Sequence, residues 1–265
     1  MIVALLTDYG TQDHYVAALK AALLARAPHV HPVDITHEVP AQAVASGAFL
    51  LWACYREFPP GTIVVGVVDP GVGTARRGLV AQAGPYWCVG PDNGLFSHVL
   101  GQEEPVRAWA LTEARHWRHP VSTTFHGRDI FAPVAAALAR GIGPEEFGPP
   151  VDDWVRLPPL GGRPMPGGVQ GEVVHVDRFG NCITSLRPEA LEGAAEVTIG
   201  GRPVRRRVRT YAEIPPGEVA LLVGSTGLVE AACRNASAAD ALAVGVGVEV
   251  QVRRGPSGVR AAAPD

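Results

Sequence analysis

Apolar residues come in short runs separated by polar turns, and the spacing of these runs changes once along the chain. Residues 2–6 are continuously apolar and end in Thr-Asp-Tyr-Gly at 7–10, which predicts a buried strand feeding a loop. Asp13 stands where it would cap a helix running to Ala27, with Pro28 as its stop. Residues 30–35 read as a second strand despite Pro32, and 41–58 as a helix closed by Pro59 and Pro60. The clearest strand is 62–68, Val-rich without a polar break, as expected of a parallel strand covered on both faces. Residues 78–83 and 86–89 read as a strand pair around a Gly-Pro turn, and 130–140 as an Ala-rich helix. This alternation predicts an α/β fold with a mostly parallel sheet sandwiched between helices.

From Gly143 to Gly171 the chain is dense in Pro and Gly and loses its periodicity, which suits an interdomain linker. The expected division is an N-terminal α/β domain at 1–145, a linker at 146–170 and a smaller C-terminal domain at 171–265. In the last of these, 171–176, 196–199, 203–208, 218–223 and 247–252 read as strands separated by turn residues, predicting an antiparallel β-barrel or sandwich. The final ten residues read as a loose tail. No internal repeat is visible.

Composition narrows the function classes. A chain of 265 residues with 47% apolar content can bury a sizeable core. A net charge of −3 argues against a general nucleic-acid or membrane-surface role. Cys54, Cys88, Cys182 and Cys233 are far apart and show no zinc-ligand spacing, so no metal site is expected, and Cys54, Cys182 and Cys233 read as reduced core residues. The opening Met-Ile-Val-Ala-Leu-Leu reaches Thr7 and Asp8 too soon for a signal peptide, and no apolar stretch is long enough to span a bilayer. A cytoplasmic protein is the expectation.

Candidate chemistry gathers at strand ends. Asp69 follows the 62–68 run directly, at the sheet edge where open α/β folds bind ligands, although Asp-Pro-Gly is also good turn chemistry. Arg76 and Arg77 follow seven and eight residues on, and a loop of this length can bring one of them back to Asp69. Gly71 and Gly73 lack phosphate-loop spacing. His126 lies in Phe-His-Gly-Arg-Asp, with Asp129 read as a helix cap and Arg128 as its partner. Asp8 ends the first strand and could accept hydrogen bonds from a diol, while Pro-Asp-Asn-Gly at 91–94 is first a turn signal. Further on, Asp177 and Asn181 bracket a loop, and the Asn181 amide could pair with a base edge. Tyr211 could stack on a ring, and the 224–227 and 234–237 segments read as loops. The basic run at 205–209 reads as an exposed strand face.

Taken in order, Thr-Asp-Tyr-Gly, Val-Val-Asp-Pro-Gly-Val-Gly-Thr-Ala-Arg-Arg at 67–77, Pro-Asp-Asn-Gly, Thr-Phe-His-Gly-Arg-Asp-Ile-Phe-Ala-Pro at 124–133, Asp-Arg-Phe-Gly-Asn at 177–181 and Ala-Cys-Arg-Asn-Ala at 232–236 resemble blocks of the S-adenosyl-L-methionine (SAM) hydrolases, or SAM hydroxide adenosyltransferases, relatives of fluorinase and chlorinase. The resemblance covers nearly the whole chain. It implies an α/β domain followed by a β-barrel domain, and a homotrimer with SAM bound at subunit interfaces. It implies hydrolysis of SAM to adenosine and methionine by water attacking ribose C5′. The family's Asp-Arg-His trio falls on Asp69, Arg76 and His126. Asp8 resembles the ribose-diol carboxylate; Asn181, Arg234, Asn235 and Ala236 resemble the adenine pocket, with Tyr211 at a stacking position; and Asp177 and Ser225 resemble the positions holding the methionine end.

The implied reaction needs no cofactor, because a sulfonium is already a good leaving group and SAM is the substrate. The difficulty is the nucleophile, which Asp69 can deprotonate while Arg76 and His126 donate to its oxygen. Which group serves as base stays open at this level. A halide beside Asp69 would meet a repulsion of roughly 4 kcal/mol at about 4 Å with an effective dielectric near 20, which favours water over a halogenase-like transfer. A SAM or adenosine sensor with negligible turnover is the remaining alternative.

Overall fold

The computed structural model describes residues 1–255, so the expected tail at 256–265 lies outside the described residues. The chain divides into two compact units, Met1–Pro158 and Pro159–Asp265.

The first unit is built on a seven-stranded sheet of order β2-β1-β3-β5-β4-β6-β7. Its elements are β1 (Ile2–Thr7), α1 (Tyr15–Leu24), β2 (His31–Thr36), α2 (Val44–Cys54), β3 (Ile63–Val67), β4 (Gly78–Ala83), β5 (Tyr86–Pro91), α3 (Ser97–Leu100), β6 (Val106–Leu111), α4 (Ala132–Ala139) and β7 (Pro150–Val151). Strands β2, β1, β3 and β5 run parallel, whereas β4, β6 and β7 pair antiparallel. The expectation of a mostly parallel sheet is therefore corrected to a mixed one. The reason lies in the Gly84-Pro85 turn: a two-residue connection forces β4 and β5 into a hairpin, and only longer crossovers permit parallel pairing.

Alternation along the strands feeds two cores. Val3, Leu5, Ile63, Val65 and Val67 pack with α1 and α4 on one face, while Ala4, Leu6, Val64 and Val68 pack with α2 and α3 on the other. With both faces covered, β3 has no position left for a polar residue, which explains its unbroken apolar run.

Several local expectations shift. His14, not Asp13, occupies the position before α1, and no side chain caps that helix. The helix expected at 130–140 begins earlier, as a π-helical turn at Gly127–Phe131 that passes into α4. Asp129 therefore sits inside the first turn rather than capping it. Within 146–170, residues up to Pro158 are absorbed into the first unit. Arg77 donates to Asp92 Oδ2 at 2.5 Å and to Asp153 Oδ1 at 2.8 Å, and Val155 N–H donates to Asp92 Oδ1 at 2.8 Å.

The second unit is a nine-stranded sheet curled into a half-barrel. Its strands are β8 (Arg163–Met165), β9 (Gly168–Val176), β10 (Cys182–Thr184), β11 (Ala194–Ile199), β12 (Arg202–Pro203), β13 (Arg206–Arg207), β14 (Val219–Val223), β15 (Val229–Cys233) and β16 (Glu249–Arg254), accompanied by the short α-helix α5 (Ala238–Leu242). Their order is β12-β11-β16-β9-β10-β15-β14-β13, with β8 beside β9. The two ends of this path, β12 and β13, are not paired with each other among the described residues, so the sheet is an open half-barrel. The strand expected at 203–208 is broken into β12 and β13 around Val204, which turns inward to the core. Strand β9 pairs with β16 through its first half and with β10 through its second, which bends the sheet around Val173, Leu221, Val229 and Val250.

Candidate active site

The site of the first unit starts where β3 ends. The Asn93 side chain donates from Nδ2 to the Val68 carbonyl at 2.8 Å, so the Pro-Asp-Asn-Gly turn braces the strand end just before Asp69. The chain then reverses: Val72 N–H donates to the Asp69 carbonyl at 3.2 Å, and the Thr74 hydroxyl to the Gly71 carbonyl at 2.7 Å. Gly73 has φ +76°, and a Cβ there would stand 2.4 Å from the Thr123 carbonyl oxygen. This close approach lays the 69–77 loop against the segment leading to His126, and only glycine allows it.

Arg76 closes the constellation. Its Nε donates to Asp69 Oδ1 at 2.9 Å, its Nη2 to Asp69 Oδ2, and Nη2 also donates to His126 Nδ1 at 2.9 Å. The guanidinium carbon lies 5.3 Å from the centre of the buried Phe131 ring, in the π-helical turn that follows His126. The Asp69 side chain is 5% exposed and that of Arg76 12%, so the pair is largely withdrawn from water. A guanidinium has only donors, so Nδ1 of His126 must accept and the ring proton resides on Nε2. Burial lowers the His126 pKa and the Arg76 charge lowers it further, against weaker opposition from Asp69 and Asp129. The arrangement holds a carboxylate, a fixed cation and a neutral imidazole with an N–H donor side by side. Arg77, the other arginine of the loop, points instead to Asp92 and Asp153.

Asp8 lies at the end of β1, where its Oδ2 accepts from Gln42 N–H at 2.9 Å. Tyr9, a member of the Thr-Asp-Tyr-Gly motif that sequence reasoning gives no role, is half-buried within electrostatic range of Asp8, Asp69 and Arg76. Burial, then the two carboxylates, push its phenol above the ordinary range. Its only sequence signal is its place beside Asp8. Asp129 is fully buried, accepts a two-pronged bond from Arg128 at 2.7 and 2.8 Å and a bond from Ser122 N–H at 2.9 Å, and so ties down the loop before the helix. Against burial, the Arg128 hydrogen bonds hold the Asp129 pKa below the usual carboxylate range.

The remaining candidates lie in the second unit. Asp177 Oδ1 accepts from the backbone of Phe179 at 2.9 Å and of Asn181 at 2.8 Å, and its Oδ2 accepts from Asn181 Nδ2 at 2.9 Å. The amide donor offered in the sequence for a base edge is therefore engaged by Asp177 in this state. Gly180 packs on Ser237, which brings the Asp177–Asn181 loop to the 234–237 segment, and Ala239 N–H donates to the Gly180 carbonyl at 3.0 Å. Arg234, Asn235 and Ala236 are exposed there, Asn235 in a left-handed conformation at φ 58°. Ser225 is exposed in the turn between β14 and β15.

Tyr211 is half-exposed, and its hydroxyl bonds Glu230 Oε1. Burial, with help from Glu230, pushes this phenol up to about 12. Glu230 escapes sequence reasoning because it sits in β15, a strand that the sequence pattern does not predict. It is buried, and that burial together with the nearby Asp177 raises its pKa, only partly offset by Tyr211. Among the described residues no group of three or more His, Cys, Asp or Glu side chains could hold a metal ion, and no helix is long and apolar enough to cross a membrane.

Two family models, described as the N-terminal and C-terminal domains of SAM hydroxide adenosyltransferase, match residues 3–148 and 171–251. The chain belongs to the SAM hydroxide adenosyltransferase family. Members at similar length include the (R)-S-adenosyl-L-methionine hydrolase of Thermus thermophilus, 44% identical over 94% of this chain and 98% of that protein. That of Salinispora tropica is 41% identical over 96% and 98%. The fluorinase of an Actinoplanes species is more distant, at 29% identity over 73% of this chain and 74% of its own. Among solved structures, an uncharacterized conserved protein from Thermotoga maritima superposes with a TM-score of 0.85 at 31% identity, covering 96% of this chain and all of that one. A conserved hypothetical protein from Thermus thermophilus gives 0.77 at 40% identity, covering 94% and 98%.

Proposed function

We propose that this protein hydrolyses S-adenosyl-L-methionine to adenosine and L-methionine. The observation that carries the reading is the Arg76 clamp, which holds Asp69 and His126 together in a largely dry corner of the sheet edge. The naming of full-length relatives as (R)-S-adenosyl-L-methionine hydrolases supports the substrate class.

In this mechanism a water molecule sits between the Asp69 carboxylate and the His126 imidazole. Its oxygen attacks ribose C5′, the C5′–S bond breaks, and the bonding pair neutralises the sulfonium. Asp69 retains acceptor capacity beyond its bonds to Arg76 and takes the proton that leaves the water. His126 donates through Nε2–H to the oxygen, because its Nδ1 is occupied by Arg76. Arg76 orients both partners and balances the carboxylate. Positioning in a site with little water contributes much of the rate. Asp8 takes the ribose diol; Asn181, Arg234, Asn235, Ala236 and Tyr211 form the adenine end; and Asp177 and Ser225 hold the methionine end. No cofactor takes part.

Assembly as a cytoplasmic homotrimer, with each site built from the first unit of one subunit and the second, barrel-like unit of its neighbour, completes the proposal. Water rather than halide is the nucleophile. The repulsion at Asp69 alone, roughly 4 kcal/mol, is an upper bound once Arg76 balances that carboxylate. The stronger argument is that Asp69 offers a proton acceptor, which water can use and a halide cannot. Incubation of the protein with SAM, with and without chloride, followed by chromatography of the nucleosides, is the test. Adenosine with methionine, independent of chloride, supports the reading. A 5′-halonucleoside overturns the choice of nucleophile, and intact bound SAM overturns turnover in favour of a sensor.

A further inference from the structure

His126 is flanked in the chain by Phe125 and Gly127, and one side chain from β1's end touches both. The Tyr9 ring stands edge-on to Phe125 at 5.6 Å and 79°, and Tyr15 completes a triangle of rings at 5.3 Å from Phe125 and 6.0 Å from Tyr9. At Gly127 a Cβ would lie 2.3 Å from the Tyr9 hydroxyl oxygen but 3.4 Å from the ring carbon that bears it. The first distance is a hard clash and the second an ordinary contact, so the hydroxyl alone excludes a side chain at 127.

A clash with the far end of a side chain is usually relieved by moving that side chain. Tyr9 has little freedom to do so. Its ring packs in a three-ring cluster with Tyr15 and Phe125, and its backbone N–H donates to Thr7 Oγ1 at 3.2 Å, which is itself bonded to the buried His37 Nδ1 at 2.8 Å. The next residue is pinned as well, Gly10 N–H donating to the His37 carbonyl at 2.7 Å. The loop carrying Tyr9 is therefore the fixed partner and the start of the π-helical turn the one that yields.

We infer that Tyr9 is a positioning residue for His126: its hydroxyl, seated on Gly127, sets how closely the helix start approaches β1 and so where the imidazole meets Arg76. The 2.9 Å bond from Arg76 Nη2 to His126 Nδ1 depends on that placement. This rests on the hydrolytic role proposed for His126, but the steric pairing of residues 9 and 127 does not.

The experiment compares Tyr9→Phe, Gly127→Ala and the double variant, using kcat and KM for SAM together with 15N spectra of the histidine rings, in which His126 is assigned with His126→Ala. Gly127→Ala should shift the His126 ring signals and lower kcat roughly 100-fold, the scale of a misplacement of about 1 Å, with KM little changed. Adding Tyr9→Phe should move the ring signals back and restore kcat about 10-fold or more, because the two residues are directly coupled. If Gly127→Ala fails to fold, recovery of folding in the double variant together with shifted His126 signals in Tyr9→Phe alone supports the pairing. A double variant no better than Gly127→Ala, or Tyr9→Phe with unchanged His126 signals, overturns it. Absence of adenosine release by the unaltered protein would instead overturn the hydrolase reading, while the ring signals would still decide the pairing.

Discussion

Replacing Arg76 with Met tests the centre of the site, because the unbranched stem is kept and every donor is lost. The structure specifies what disappears: two bonds to Asp69 and one to His126, all made by a guanidinium 12% exposed against a carboxylate 5% exposed. Displacing catalytic groups by about 1 Å lowers kcat roughly 100-fold, and because Arg76 holds both Asp69 and His126 a loss of about that size or more is expected here. A pH effect should accompany it. In the intact protein, burial and the Arg76 charge keep His126 neutral to below its ordinary pKa, so the acid limb of the rate profile should lie below the usual histidine range. Without Arg76 one of the two lowering causes is gone while Asp69 and Asp129 still raise the value, so the acid limb must move to higher pH. Adenosine release across a pH series at saturating SAM, with circular dichroism to verify folding, measures both effects. A variant with unaltered kcat, or with an acid limb that stays in place, would refute the clamp as the organising element.

Asp69→Ala should abolish turnover while calorimetry still detects adenosine binding; full activity in that variant would remove Asp69 from the mechanism. Gly180→Ala should lower the melting temperature and weaken adenosine binding. Its φ of +81° costs an L side chain about 1–2 kcal/mol, and its Cβ would lie 2.7 Å from the Ser237 Cα; a melting temperature equal to that of the parent would contradict this. Glu230 has a folded pKa raised by burial, so its contribution to stability is fully present below the ordinary glutamate value and is lost as pH rises through the raised one. Glu230→Gln should therefore flatten the fall in stability above the ordinary glutamate range in denaturant titrations, and an unchanged pH slope would show that Glu230 titrates alike in the folded and unfolded chain.

The parts of the fold that can be read in the sequence are those whose burial leaves one solution. Strand β3 is covered on both faces and shows it in every residue, and Asp69 at its end stands out because the run before it has no polar position. Strand β15 is not legible, since Val-Glu-Ala-Ala-Cys has little β-propensity of its own and is a strand because β10 and β14 flank it. With it goes Glu230, which can be placed only once the strand is known. The division of labour between Arg76 and Arg77 is equally hidden: adjacent residues in a loop leave in different directions, and the turn at Gly71–Thr74 decides which returns to Asp69. The π-helical turn after His126 has no sequence signature that separates it from an ordinary helix start.

Strand β9 is the one element common to both halves of the second sheet, pairing with β16 along residues 168–172 and with β10 along 173–176. The two ladders abut at residues 172 and 173 of one continuous strand, so loss of β9 removes the edge of both halves together. The second unit should consequently lose its structure in one step, and the amides of β9 that bond β16 and those that bond β10 should exchange with solvent at a common, slow rate set by unfolding of the whole unit. The loops carrying Asp177, Ser225 and Arg234 thus hang from a frame with a single breaking point, which keeps their spacing constant for as long as the unit is folded at all.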